Sequence, residues 1–483
     1  MKFQVLSHAG LAITSHEVCL VCDPWLVGST YWRSWWNYPP VSKALIDSLK
    51  PHFIYLTHVH WDHFQGVSLR KFSPSIPIVI PREPCGRMRR DLNAMGFSNV
   101  IELQHGESLS LSDDFKITSY HFELCTDSSL IIEAEGYTLF NANDAKVMGA
   151  PLRQILTRHP KIDFVFRSHS SANPRVCFEL LDDPSAVVDE QAHYARDFAL
   201  FVCAIRARYA IPFASNHCYL HKETFHFNDF VTTPRMVEDY FKTHHITTPQ
   251  IRIMVSGDFW SDTEGFVVAK QDYFENRQRH LEEYVRSKKA PLEELYETEA
   301  RAVVPKPVLD RYFAGVFNAM PALWRRLYRN NAVLYVLTAG ENAYFFEVDF
   351  YRKEVREISN YDDQSHPIQI HTSAAVMRHC MASGLFSHLP ISKRVRYRVT
   401  SEKKYLLTLL DFFFAFYEYE LLPVRRILNR RFFTSWLLRW RELCLYTQIG
   451  KDITLGRAFD YARYLPPHFP AGSENPHNHR VAN

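Results

Sequence analysis

The chain has 483 residues, a formal net charge of +3 and 46% hydrophobic residues. Two or three units with full cores fit that length, and a charge so close to zero argues against a nucleic-acid partner. Nine scattered cysteines form no disulfide framework and suit a reducing, cytoplasmic setting.

The opening MKFQVLSHAGLAI reads directly as a strand, without the apolar core and cleavage site of a signal peptide. No run reaches the ~18 uncharged apolar residues of a membrane span. Short strands at 2–6, 11–14 and 18–22 form a meander. Cys19 and Cys22 form a C-x-x-C inside the third strand, where alternating faces favour buried thiols over a redox pair. Residues 23–40, DPWLVGSTYWRSWWNYPP, read as a loop punctuated by Pro and Gly. A helix over 42–49 precedes the apolar strand HFIYLT. Helices near 66–72 and 85–95 alternate with the strands PIVIP and NVIEL. Strands follow at 116–122, 130–134 and 137–141, then a helix over 148–158, the strand DFVFRSH, a helical stretch over 189–209 and AIPFASNH. A meander followed by β-α-β units implies sheets covered by helices.

After 265 the character changes. Residues 266–304 read as a charged helical linker. A second unit over 305–465 opens with a helix near 319–328, then two strands about a tight turn in NAVLYVLTAGENAYFFEVDF, then HPIQIHTSAAVMRHCMASG. Its last stretch, 404–446, mixes aromatics with arginines, among them Arg425, Arg426, Arg430, Arg431, Arg439 and Arg441. A basic aromatic helix can lie on an anionic membrane, and a helix with a solvated basic face is the plainer reading. The tail, 466–483, is expected to be disordered.

The chemistry concentrates in LTHVHWDHFQG, just after a buried strand. His58 and His60 alternate onto one side and can share an ion, while Asp62 and His63 face a second one. Imidazole and carboxylate suit zinc first, and also iron or manganese. Later strand ends offer more ligand-type residues: His121, Asp144 and His217, with His105 the rival of His121 and His169 the rival of His217. His221 and His226 read as loop or surface histidines. Asp23 ends a strand, where it either orients a ligand histidine or caps a turn. Trp25, Trp32, Trp35 and Trp36 either cover the sheet edge or wall a pocket. Lys146, Arg167 and His169 lie near strand ends and are candidates to grip a substrate anion.

H-x-H-x-D-H is the signature of the metallo-β-lactamase superfamily, which residues 1–265 resemble. The resemblance implies an α+β architecture, an αββα sandwich with the metal site on one edge. It implies His58, His60 and His121 on a first metal, Asp62, His63 and His217 on a second, and Asp144 bridging, although NAND departs from the commoner SGD. LVCDPWLVGS is similar to the ascorbate-6-phosphate lactonase and N-acyl-phosphatidylethanolamine phospholipase branch. The longer aromatic run, with SGDFW at 256–260, resembles the non-Rieske part of the CMP-N-acetylneuraminate hydroxylases. A Rieske centre needs C-x-H and C-x-x-H pairs. Cys218 and His221 have the second spacing and no C-x-H exists, so no such cluster is encoded. Residues 305–400 bear a weak resemblance to sterol-carrier-like domains.

The expected function is hydrolysis of an ester, lactone or phosphodiester in a phosphorylated, nucleotide-linked or lipid-linked small molecule. Two divalent ions are expected, with Asp62 orienting the nucleophile. The alternatives are an iron-dependent oxygenase component fed with electrons by another protein, or a non-catalytic lipid-binding protein. Peripheral membrane contact through the C-terminal region and homo-oligomerisation are both open.

Overall fold

The computed structural model describes residues 1–466 apart from 124–126, 171, 173 and 187–192. Residues 467–483 of the expected tail, and 189–192 of the expected 189–209 helix, lie outside the described residues.

Two sheets form the first unit. One has eight strands, in the order Gly265–Val267, Phe259–Ser261, Lys2–Val5, Leu11–Ser15, Val18–Cys22, Phe53–Tyr55, Ile78–Pro81, Val100–Leu103. Its last four strands run parallel. The other has seven, in the order Gln250–Ile251, Tyr209–Phe213, Phe164–Ser168, Tyr137–Asn143, Asp127–Ala134, Phe115–Phe122, Glu107–Ser112. Their inner faces meet through Phe3, Leu20, Tyr55, Ile117, Leu130 and Phe164, among others. Central strands such as Ile78–Pro81 are buried along their whole length, which explains their unbroken apolar runs. Helices Gly149–Arg158, His193–Ile205 and Pro234–Thr243 cover the outer face of the seven-stranded sheet. Helices Lys43–Ser48 and Arg87–Ala94 cover the other outer face. The Ser42 side chain caps the first of these by accepting the Leu45 N–H at 3.2 Å. The result is the expected αββα sandwich.

One local reading changes and another holds. The stretch 23–40 is not all loop: Ser29–Thr30 and Trp35–Asn37 are strands, and the second pairs antiparallel with His217–Tyr219. The β-propensity of the tryptophans outweighs the Pro and Gly punctuation. Tyr31, Trp32 and Arg33 turn the chain with φ of 50°, 57° and 57°, a run of non-glycine residues in the left-handed region. Cys19 and Cys22, three residues apart on one strand, face opposite ways: Cys22 enters the inter-sheet core and Cys19 packs under the Lys43–Ser48 helix.

The span expected to be a linker is packed. Leu281 and Leu292, from helices Arg277–Ser287 and Lys289–Ala300, bury against Trp36, Tyr38, Cys218 and Leu220. Beyond it lies a third large sheet, in the order Phe178–Leu180, Val395–Val399, Ile368–Ser373, Val333–Ala339, Asn342–Asp349, Glu354–Ile358. Helix Lys306–Ala319 precedes its first three hairpin-linked strands, and Ala374–Ser383 joins its last two. The edge strand Phe178–Leu180 comes from the first unit and pairs parallel with Val395–Val399. The 305–465 span also divides: helices Arg430–Leu438 and Trp440–Thr454 turn back onto the first unit, where Leu445 and Phe432 join its outer cores. Among the described residues, no helix is long and apolar enough to cross a membrane.

Candidate metal centre

The parallel strands of both sheets end on one edge, so the residues just after them meet there. Thr57 and His58 follow Phe53–Tyr55, Asp23 follows Val18–Cys22, and Asp144 follows Tyr137–Asn143. The motif then folds into a tight turn, with the His63 and Phe64 N–H groups both donating to the His60 carbonyl at 3.0 and 2.7 Å. That turn brings His63 back beside His58, ring centroids 4.2 Å apart.

Two groups could each hold a cation, with ligand atoms all within 4.8 Å of one another: His58, His63 and Asp144; and His8, Asp62 and His63. His63 Nε2 lies 3.2 Å from Asp144 Oδ1 and 3.5 Å from Asp62 Oδ2. His8 Nε2 lies 3.0 Å from Asp62 Oδ2. His60 joins the cluster through its Nδ1, 2.8 Å from His58 Nε2. The donors fit divalent ions. His63 Nε2, Asp144 Oδ1 and His217 Nδ1 are buried without a hydrogen-bond partner, and such groups are costly unless something binds them.

A layer of supports aims these groups. Asp23, fully buried, accepts from the Thr57 N–H at 2.8 Å and the Thr57 hydroxyl at 2.7 Å, and holds His63 Nδ1 at 2.8 Å. It thus orients a candidate ligand rather than only capping a turn. Tyr31 donates to Asp62 Oδ1 at 2.5 Å. Burial and the neighbouring His63 hold His58 near pKa 4, and burial with His58 beside it does the same for His60, so both rings are neutral donors at pH 7. Burial opposes charge on Asp144 and Asp62, but His63 outweighs it and keeps both carboxylates below their usual range.

A cavity of about 410 Å³ opens over the cluster, lined by His8, Trp35, His60, Asp62, Asp144 and His217 among others. Trp35 is a wall, stacked on His217 with centroids 3.7 Å apart. Trp25 is wholly buried behind it, 5.6 Å from the His8 ring, and cannot touch a ligand. Trp32 packs on Trp61 and donates to His379 Nδ1 at 2.5 Å, and Trp36 lines a different groove. Lys146 lines the cavity and is exposed.

Three expected roles fall differently. His121 stands apart: its ring packs beside His105, 5.9 Å away, in a separate small pocket with Arg82 and Arg431. Glu123 and Asp127, not His121, line the cavity over the cluster. Burial, helped by the charge of Asp127, pushes Glu123 up to about 7, and burial with Asp144 nearby pushes Asp127 up to about 6. The chain end of strand Phe115–Phe122 reaches the edge two residues later than the histidine pattern assumed. Arg167 faces away from the cavity, donating to the Ala145 carbonyl at 3.0 Å and the Tyr461 hydroxyl at 3.1 Å, with its guanidinium over Phe201. His169 is buried with both ring nitrogens unpartnered, its pKa pressed down to about 3 by burial and by His8. The C-x-x-H pair separates as well, Cys218 entering a core and His221 Nε2 lying 3.7 Å from Glu299.

Sequence reasoning passed over His8, Tyr31 and His388. His8 sits in SHAG, a polar break directly after the first strand, which was the available signal. His388 comes from the accessory unit and stacks edge-on 5.2 Å from His60; nothing in its local sequence points to the site.

No family model matches the chain. It is 27% identical over 272 residues to a Mycolicibacterium smegmatis protein described as a Rieske 2Fe-2S iron–sulfur protein, covering 52% of this chain and 50% of that one. It is 29% identical over 151 residues to the cytidine monophosphate-N-acetylneuraminic acid hydroxylase of Mus musculus, covering 30% of this chain and 26% of the relative. The chain spans at most about half the length of these relatives. Among solved structures, the metallo-β-lactamase fold protein YhfI from Bacillus subtilis aligns over 54% of this chain and 98% of its own, with TM-score 0.35 and 14% identity. An alignment that loose adds nothing to the fold, which rests on the strand order above. Two of the resemblances expected from the sequence recur, the metallo-β-lactamase fold in the architecture and the sialic-acid hydroxylases among the relatives.

Proposed function

We propose that the chain is a metal-dependent hydrolase with a two-ion centre built from His58, His60, Asp62, His63, Asp144 and His8, acting on an anionic ester, lactone or phosphodiester. The observation that carries this reading is the convergence of unpartnered imidazole and carboxylate atoms at the floor of a cavity sized for a small molecule. When bound, two divalent ions would lower the pKa of a coordinated water and offset negative charge that develops on the substrate. The chain's own residues supply the rest. Asp62, fixed by Tyr31 and His8, orients the attacking water. Asp23 keeps the His63 proton on Nδ1 and so leaves Nε2 free to ligate. Trp35 offers a flat apolar wall, and Lys146 a positive charge at the rim. His217, at the wall beside His8, either completes the second ion's shell or contacts substrate.

A second reading, an iron-dependent oxygenase component, is favoured by one observation. Glu123 and Asp127 line the cavity while His121 does not, and a shell richer in carboxylate suits iron or manganese. The hydroxylase and Rieske names among the relatives support the same reading. Its electrons would come from another protein.

Elemental analysis of protein purified without added metal, wild type and His60→Ala, tests both readings. About two equivalents of zinc, lost in the variant, support the hydrolase. Iron in that place moves the oxygenase reading forward. No metal before or after reconstitution refutes both.

A further inference from the structure

The helices Arg430–Leu438 and Trp440–Thr454 combine buried charge with exposed apolar side chains. They meet at Arg439, whose φ of −101° and ψ of 20° end the first helix and start the second. The face turned to the protein carries charge beside its apolar anchors Phe432 and Leu445. Arg439 pairs with Glu442 at 2.8 Å and also donates to the Glu123 carbonyl, both side chains fully buried. Arg431 binds the Glu102 carboxylate and the Glu83 carbonyl. The face turned outward is apolar: Phe433 is 59% exposed, Leu437 73%, Trp440 50% and Leu443 46%. Phe433 and Leu437 stand one turn apart on the first helix, and Trp440 and Leu443 one turn apart on the second. Leu428 and Val424, just before the first helix, are also exposed.

A soluble surface does not normally present such a face, and burying arginines while exposing leucines is the reverse of what water selects. The rim identifies the occupant. Arg425, Arg426 and Arg430 are exposed and have no ion-pair partner among the described residues. The Arg441 guanidinium lies over the Trp440 ring at 4.6 Å, and tryptophan with arginine at an apolar border suits a lipid interface.

We propose that this helical pair docks on an anionic phospholipid membrane, with Phe433, Leu437, Trp440 and Leu443 entering the acyl boundary and the four arginines on the headgroups. The surface is independent of the reaction proposed above. It lies behind the cavity wall, since Glu442 also accepts the Glu123 N–H at 2.8 Å.

Co-sedimentation of the full chain with vesicles of phosphatidylcholine alone, and of phosphatidylcholine with phosphatidylserine, tests this. The expected result is binding to the second only, weakened by salt. A double change Phe433→Ser and Leu437→Ser should weaken it about tenfold or more, as should Arg425→Ser with Arg430→Ser. Circular dichroism and metal content of the variants guard against misfolding. No binding to either vesicle, or binding that neither variant weakens, overturns the proposal. So does a concentration-dependent dimer, seen by light scattering and abolished by the serine pair, because the face would then belong to a second copy.

Discussion

Replacing Asp23 by Asn tests the reasoning about the metal centre most sharply. The two side chains have the same shape, so packing is unchanged. Asp23 accepts from the Thr57 N–H at 2.8 Å on one oxygen, while the other meets the Thr57 hydroxyl at 2.7 Å and His63 Nδ1 at 2.8 Å. The amide has one orientation that avoids opposing two donors, with its oxygen toward the Thr57 N–H. Its NH2 then faces His63 Nδ1, and the ring must accept there. The proton moves to Nε2, the nitrogen aimed at Asp144 and Asp62, and a protonated nitrogen cannot ligate. Changes behind a ligand histidine weaken metal binding by about 10- to 100-fold, or about 1.4 to 2.7 kcal/mol at 1.36 kcal/mol per tenfold. Competition titration of zinc against a chromophoric chelator measures this, with thermal unfolding as the control. Thr57→Val removes a hydroxyl but keeps the carboxylate, and should cost less. An Asp23→Asn protein whose zinc affinity stays within about twofold of wild type would refute the tautomer argument.

His121→Ala should leave metal stoichiometry by elemental analysis at the wild-type value, because the ring lies in another pocket. Burial raises Asp411 to about 7 in the folded chain, so the stability tied to its proton is full below its unfolded pKa near 4 and is lost as pH rises through 7. Asp411→Asn keeps an acceptor for the Tyr397 hydroxyl; urea unfolding at pH 5 and pH 8 should show it gaining on wild type at the higher pH by about 2.5 kcal/mol. Gly149 has φ of 62°, and an added Cβ would stand 2.7 Å from Leu445 Cδ1. Gly149→Ala should therefore lower the urea midpoint, by about 1 to 3 kcal/mol of stability.

The sandwich was legible because hydrophobic runs and their spacing are local signals, and the strands and helices expected in the first unit fall within a few residues of their places, although strand Glu107–Ser112 and helix Pro234–Thr243 were not anticipated. Four of the candidate ligands were legible for the same reason, since His58, His60, Asp62 and His63 lie within six consecutive positions. Two kinds of residue were not. His8 and His388 matter only through chain segments brought together over long sequence distances. His121 failed because one or two residues at a strand end decide which side chain reaches the edge, and strand ends are the least determined part of any hydrophobic pattern. The inward turn of Arg431 and Arg439 was hidden for a similar reason: their partners Glu102 and Glu123 lie more than 300 residues earlier.

The short strand Phe178–Leu180 imposes an order of events on synthesis. Phe178 pairs with Tyr397, so its partner leaves the ribosome 219 residues later, roughly 10 to 40 s at 5–20 residues per second. Until then the nascent first unit carries an extended segment with one free edge, and the accessory sheet cannot be closed on that side. The two units therefore cannot mature strictly one after the other, and a stall in translation between them would hold the chain in the state most open to wrong pairing.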